Sequence, residues 1–84
     1  SVADTAMELA IKRAYKSRLG NLRVDITWEG SSAEMVDIYR NGEKIDTVEN
    51  YGIYRDRERR VTGNSFTYQV CDSGGCSNEV TASF

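Results

Sequence analysis

The chain has 84 residues, enough for one small domain with a modest core. Apolar residues make up 39% and charged residues 29%, an ordinary globular balance, and a net charge of −2 exerts no overall pull toward nucleic acid or anionic membrane. Histidine is absent, which excludes Ser-His-Asp and Cys-His catalysis and removes the commonest zinc ligand.

In chain order, the first element predicted is a helix. In "DTAMELAIKRAYKSRLGN", residues 4–21, the residues Met7, Ala10, Ile11, Ala14 and then Arg18 or Leu19 follow a helical spacing of three and four residues as an apolar stripe. Ser1 or Asp4 supplies an N-cap, Glu8 precedes Lys12 by four residues, and Gly20 provides a left-handed stop. Residues 1–21 are therefore read as one amphipathic helix, packed on the strands of residues 22–84 or trailing from a preceding domain. Lys12, Arg13, Lys16 and Arg18 make it basic, and their bland reading is a solvated helix face.

From Leu22 the period becomes two. In "LRVDITWE" Leu22, Val24, Ile26 and Trp28 share one face, and Arg23, Asp25, Thr27 and Glu29 share the other. "GSSAE" interrupts, and "MVDIYR" resumes with Val36 and Ile38 on one side. Asn41-Gly42 is a strong hairpin signal, from which "EKIDTVE" returns. After "NYG" comes "IYRDRERR", a charged and exposed strand. "TGN" then leads to "SFTYQVC", and the Ser73-Gly74-Gly75 corner to "SNEVTASF". Residues 22–84 thus hold six short antiparallel strands at the spacing of a β-sandwich. Proline is absent, which leaves edge protection to charge. No apolar run approaches transmembrane length, and the chain is read as a processed piece of a longer one.

Four stretches together carry a family resemblance: the alternating strand ending at Trp28, "VDIYRNG" at 36–42, "FTYQVC" at 66–71 and "CSNEVTASF" at 76–84. Residues 22–84 resemble the fibronectin type III-like modules of secreted bacterial hydrolases, especially those attached C-terminally to subtilisin-like serine proteases. The resemblance implies an immunoglobulin-like antiparallel sandwich, a secreted location and a non-catalytic accessory role beside the parent's catalytic domain. Where such a module opens with a further strand, this sequence offers the basic helix instead.

Cys71 and Cys76 are the only cysteines. A single C-x4-C lacks the second ligand pair of a zinc site and is not a C-x-x-C redox motif. Two strands joined by a four-residue loop place these cysteines opposite one another, within reach of a disulfide, and so favour an oxidising compartment over free buried thiols. Ser73 in "DSGG" superficially suggests a nucleophile turn, but no base accompanies it. Trp28, Phe66 and Tyr68 read as core, with Phe66 or Tyr68 in the tyrosine-corner role.

Tyr51 and Tyr54, near a turn, are the best candidates for exposed contact, with Arg55 and Arg57 beside them. The alternating signs of Arg55, Asp56, Arg57, Glu58, Arg59 and Arg60 favour a self-compensating edge over an anion-binding surface. No metal, cofactor, nucleic acid or membrane is expected as a partner. The functional expectation is an accessory module that stabilises or spaces a catalytic domain, or contacts its substrate. Two rivals are a polysaccharide- or protein-binding module using exposed Tyr and Arg, and an assembly protein whose N-terminal helix binds a partner.

Overall fold

The structure, a computed structural model, describes residues 7–84. Its regular elements are all strands: β1 (Glu8–Lys16), β2 (Leu22–Glu29), β3 (Met35–Arg40), β4 (Glu43–Glu49), β5 (Ile53–Glu58), β6 (Ser65–Asp72), β7 (Gly75–Cys76) and β8 (Val80–Ser83). One sheet has the order β1-β2-β5. The other runs β4-β3-β6, and the far side of β6 is occupied by β7 at one end and β8 at the other. Every pairing is antiparallel. The result is a β-sandwich.

The helix expected over residues 1–21 is absent from its described part, residues 7–21. Residues 8–16 instead form β1, paired with β2 from Glu8↔Glu29 to Lys16↔Leu22. The expected caps, Ser1 and Asp4, lie outside the described residues. Two periodicities coexist in this segment, and the second prevails: Met7, Leu9 and Ile11 alternate, with Met7 and Leu9 buried. The alternation ends at a bulge between Ile11 and Arg13, where Lys12 is the extra residue. Ala, Glu, Lys and Leu favour a helix, but that preference is worth a few tenths of a kcal/mol per residue, and burial against Trp28 and Ile26 outweighs it (roughly). Gly20 does adopt positive φ, at 85°, but the turn it makes joins two strands. An added Cβ there would lie 3.2 Å from Arg60 Cα and Val61 O. The assembly role that depended on a free helix loses its element.

Elsewhere alternation decides the faces. Leu22, Val24, Ile26 and Trp28 meet Val36, Ile38, Phe66, Tyr68, Val70 and Ala82 between the sheets. Asn41 and Gly42 both take positive φ, as the hairpin signal requires. Cys71 and Cys76 face one another across β6 and β7 and form the disulfide.

Side-chain amides close what the strands leave open. Asn50 Nδ2 donates to the carbonyls of Ser31 and Ala33, and its Oδ1 accepts from Trp28 Nε1 at 2.7 Å. Asn78 substitutes for a strand partner: its Oδ1 accepts from Leu9 N and its Nδ2 donates to Leu9 O, tying β1 to the other sheet. Ser77, buried just before it, accepts from Val70 N where the ladder to β6 is interrupted.

The body measures 44 × 20 × 20 Å. Glu8, Glu29 and the Ser31–Asp72 hydrogen bond lie at one pole. At the other, Lys16 Nζ donates to Gly63 O and Phe84 N to Asn64 O. The described chain therefore enters at one end of the long axis and leaves at the opposite end.

Candidate functional site

The strand "IYRDRE" organises the polar features of the molecule. On a strand, neighbours point to opposite faces, so alternating signs are separated by the sheet instead of neutralising one another. In β5 the residues Tyr54, Asp56 and Glu58 share the parity of the inward residues Ile26, Val24 and Leu22 that they oppose on β2. Arg55 and Arg57 oppose Asp25 and Arg23 on the outer face. This corrects the self-compensating reading of the run.

Asp56 is buried, 2% exposed, between the sheets. Its Oδ2 accepts from Tyr68 Oη at 2.5 Å and from Arg40 Nη1 at 2.7 Å. Arg40 also reaches Glu58 Oε2 at 3.3 Å. Arg40 and Tyr68 are cross-strand partners on β3 and β6, so this cluster joins the sheets through charge-assisted bonds. Burial, then the bond to Asp56, pushes the Tyr68 phenol far above its ordinary value. Burial opposes the charge of Arg40, but hydrogen bonds to Asp56 and Glu58 prevail and raise its pKa. Tyr68 belongs to the core, as expected, but its hydroxyl seeks a carboxylate across the sandwich and not the upstream backbone bond of a tyrosine corner. Only the rim of this cluster reaches solvent, at the exposed Glu58 and the edge of Arg40, while Asp56 and Tyr68 are shut away from any substrate. It is a clasp.

Of the expected contact residues, Tyr51, Tyr54 and Arg55 come together. They line a shallow groove of about 700 Å³ with Met35, Thr47, Val48, Glu49 and Ile53, where the edges of β4 and β5 approach. Tyr51 is 75% exposed. Tyr54 is half-buried, donates from its hydroxyl to Asp46 Oδ2 at 3.1 Å, and has its pKa raised to about 12, first by burial and then by that bond. Arg57 stands apart. It lines a hollow of about 420 Å³ toward the Phe84 pole, with Tyr15, Arg23 and Arg59.

The "DSGG" corner has a structural logic. Asp72 Oδ1 accepts from Gly74 N and Gly75 N, and its Oδ2 accepts from Ser31 Oγ at 2.6 Å. The Ser31 hydroxyl, then the Gly74 N–H, holds the carboxyl below its ordinary pKa. Ser73 is exposed at the tip. Among the described residues no cluster of three or more Cys, Asp or Glu side chains is placed to hold a metal ion.

Sequence reasoning missed the clasp, Asn50 and Asn78. A signal for the first was present: in "YRDRE" every acid occupies one parity and every arginine the other, and the acidic parity continues the inward phase of Tyr54. For Asn50 and Asn78 there was no signal, because their partners are backbone groups distant in the chain. No protein-family model matches this chain, no curated protein matches it, and no solved structure matches it.

Proposed function

We propose that this chain is a non-catalytic, fibronectin type III-like accessory module of a secreted bacterial enzyme, a subtilisin-like serine protease being the favoured parent, and that it acts as a spacer in series with the catalytic domain. The observation that carries this reading is the placement of the two ends of the described chain at opposite poles of a 44 Å body, as a spacer in series requires. The facing β1-β2-β5 and β4-β3-β6 sheets, with an interrupted last strand after the disulfide, also support it. A disulfide persists in oxidising surroundings, which is consistent with export.

The test is an antibody raised against the domain and applied to the culture medium of the source cells. The expected result is a secreted polypeptide much longer than 84 residues that digests casein in a gel overlay. An inactive band of the module's own size, or recovery only from the cell interior, overturns the reading.

A further inference from the structure

The outer face of the β1-β2-β5 sheet remains without an assignment. Registered neighbours across an antiparallel sheet share a face, so the pairings give its layout directly. The row nearest the Phe84 pole is Tyr15, Arg23, Arg57; the next is Arg13, Asp25, Arg55. Beyond these lie Ala10, Thr27 and Ile53, and last Glu8 and Glu29. The Cα atoms of four arginines therefore fall within a patch of about 10 by 7 Å, given strand spacings near 4.8 Å and same-face steps near 6.7 Å.

All four arginines are exposed, and none forms an ion pair with another described residue; both ion pairs there belong to Arg40. Even Asp25, flanked by Arg13 and Arg55, keeps a buried Oδ1 without a hydrogen-bond partner. The arginines are left free for an external anion. Beside them Tyr15 is 59% exposed, a large ring held at the surface with no burial to explain it. This concentration occurs in a chain whose overall charge is −2, so general basicity does not account for it.

We infer that this face binds an acidic polysaccharide, with Arg13, Arg23, Arg55 and Arg57 holding its carboxylate or sulfate groups and Tyr15 stacking on a sugar ring. The guanidinium fork matches such oxyanions in a way an ammonium does not, and all four cations here are arginine. The face is a flat sheet with one aromatic, whereas a single-stranded nucleic acid is held in a groove with successive stacking rings. The disulfide favours an oxidising compartment, where glycans are the abundant polyanions. This inference goes beyond the spacer role: it rests on the exposed face alone, whether or not a catalytic domain is attached.

The experiment titrates the 84-residue chain calorimetrically with polygalacturonate, dextran sulfate, neutral dextran and single-stranded oligothymidylate, at low and high salt. One or both acidic polysaccharides bind, salt weakens the binding, and neutral dextran does not bind. Response to polygalacturonate alone, dextran sulfate alone, or both identifies the preferred anion. Reversing charge with R23E and R57E together weakens affinity by about tenfold or more, because two attractions become repulsions. Asp25→Asn strengthens it, and Tyr15→Ala weakens it while leaving the salt dependence unchanged. Failure of both acidic polysaccharides to bind overturns the proposal, as does tighter binding of the oligonucleotide. Should the double reversal disturb folding, unchanged affinity in both D25N and Y15A overturns it equally.

Discussion

The two sheets are alike inside and opposite outside. Inward, each presents Val, Ile and a large aromatic: Val24, Ile26 and Trp28 on one, Val36, Ile38, Val70 and Tyr68 on the other. Outward, the β1-β2-β5 sheet and its adjoining loops carry every lysine and arginine except Arg40 and Lys44. Glu34, Asp37, Glu43, Asp46, Glu49, Asp72 and Glu79 belong to the other sheet and its loops. Period-two alternation makes this possible, since it lets the core half of a strand and its surface half be chosen separately. Core shape sets the fold, and the two outer faces are free to differ in charge. The clasp of Arg40, Asp56 and Tyr68 is the exception, being the one place where charge enters the common interior.

That exception gives the largest expected effect. Asp56→Ala strands Arg40 and Tyr68 between the sheets and destabilises by about 3–5 kcal/mol, whereas Glu58→Ala, at the exposed end of the same cluster, costs under about 1 kcal/mol. Urea unfolding of the two variants checks the ratio. Equal losses would mean that the interior carboxylate is no more committed than the rim one.

Next is the covalent link on the second sheet. Reducing Cys71–Cys76 lowers stability by about 2 kcal/mol, the chain-entropy value for so short a loop. Intact mass rises by about two hydrogens on reduction, and thiol reagents leave the unreduced protein unlabelled. Labelling of both cysteines before reduction would remove the argument for an oxidising compartment.

The smallest effect lies at the seam between the sheets. Tyr54 has a folded pKa of about 12 against an unfolded value near 10. The neutral phenol is thus favoured by folding. Its contribution is complete below about pH 10 and is lost as pH rises through about 12. Tyr54 is half-exposed and screened, so the loss is smaller than either effect above. Alkaline unfolding monitored by circular dichroism should shift slightly less steeply with pH in Tyr54→Phe. An identical pH profile in the variant would show that Asp46 and burial leave this phenol untouched.

How legible the molecule was in its sequence depended on the distance over which each feature is decided. β2, β3, β6 and the Asn41-Gly42 hairpin were legible because alternation and positive-φ turns are local properties. Trp28 and Phe66 were legible as core for the same reason. The disulfide was legible once two strands flanked a four-residue loop. β1 was not, because helical and strand periods overlap in "MELAIKRA", where only the partner Trp28 breaks the tie. Arg57 was grouped with Tyr51 and Tyr54 by proximity in sequence, yet it faces Arg23 and Tyr15, which lie more than thirty residues earlier.

By itself, then, the order of residues determined where the chain turns, which side of most strands is apolar, that two cysteines meet, and that histidine-based chemistry is absent. Tertiary structure alone decided that residues 8–16 are a strand, that Asp56 is a buried partner of Tyr68 and Arg40, and that four arginines from three strands share one face. The physical reason is the same in each case. Those outcomes depend on which strand lies alongside, and strand pairing joins residues that are remote in the chain and carry no local signal of one another.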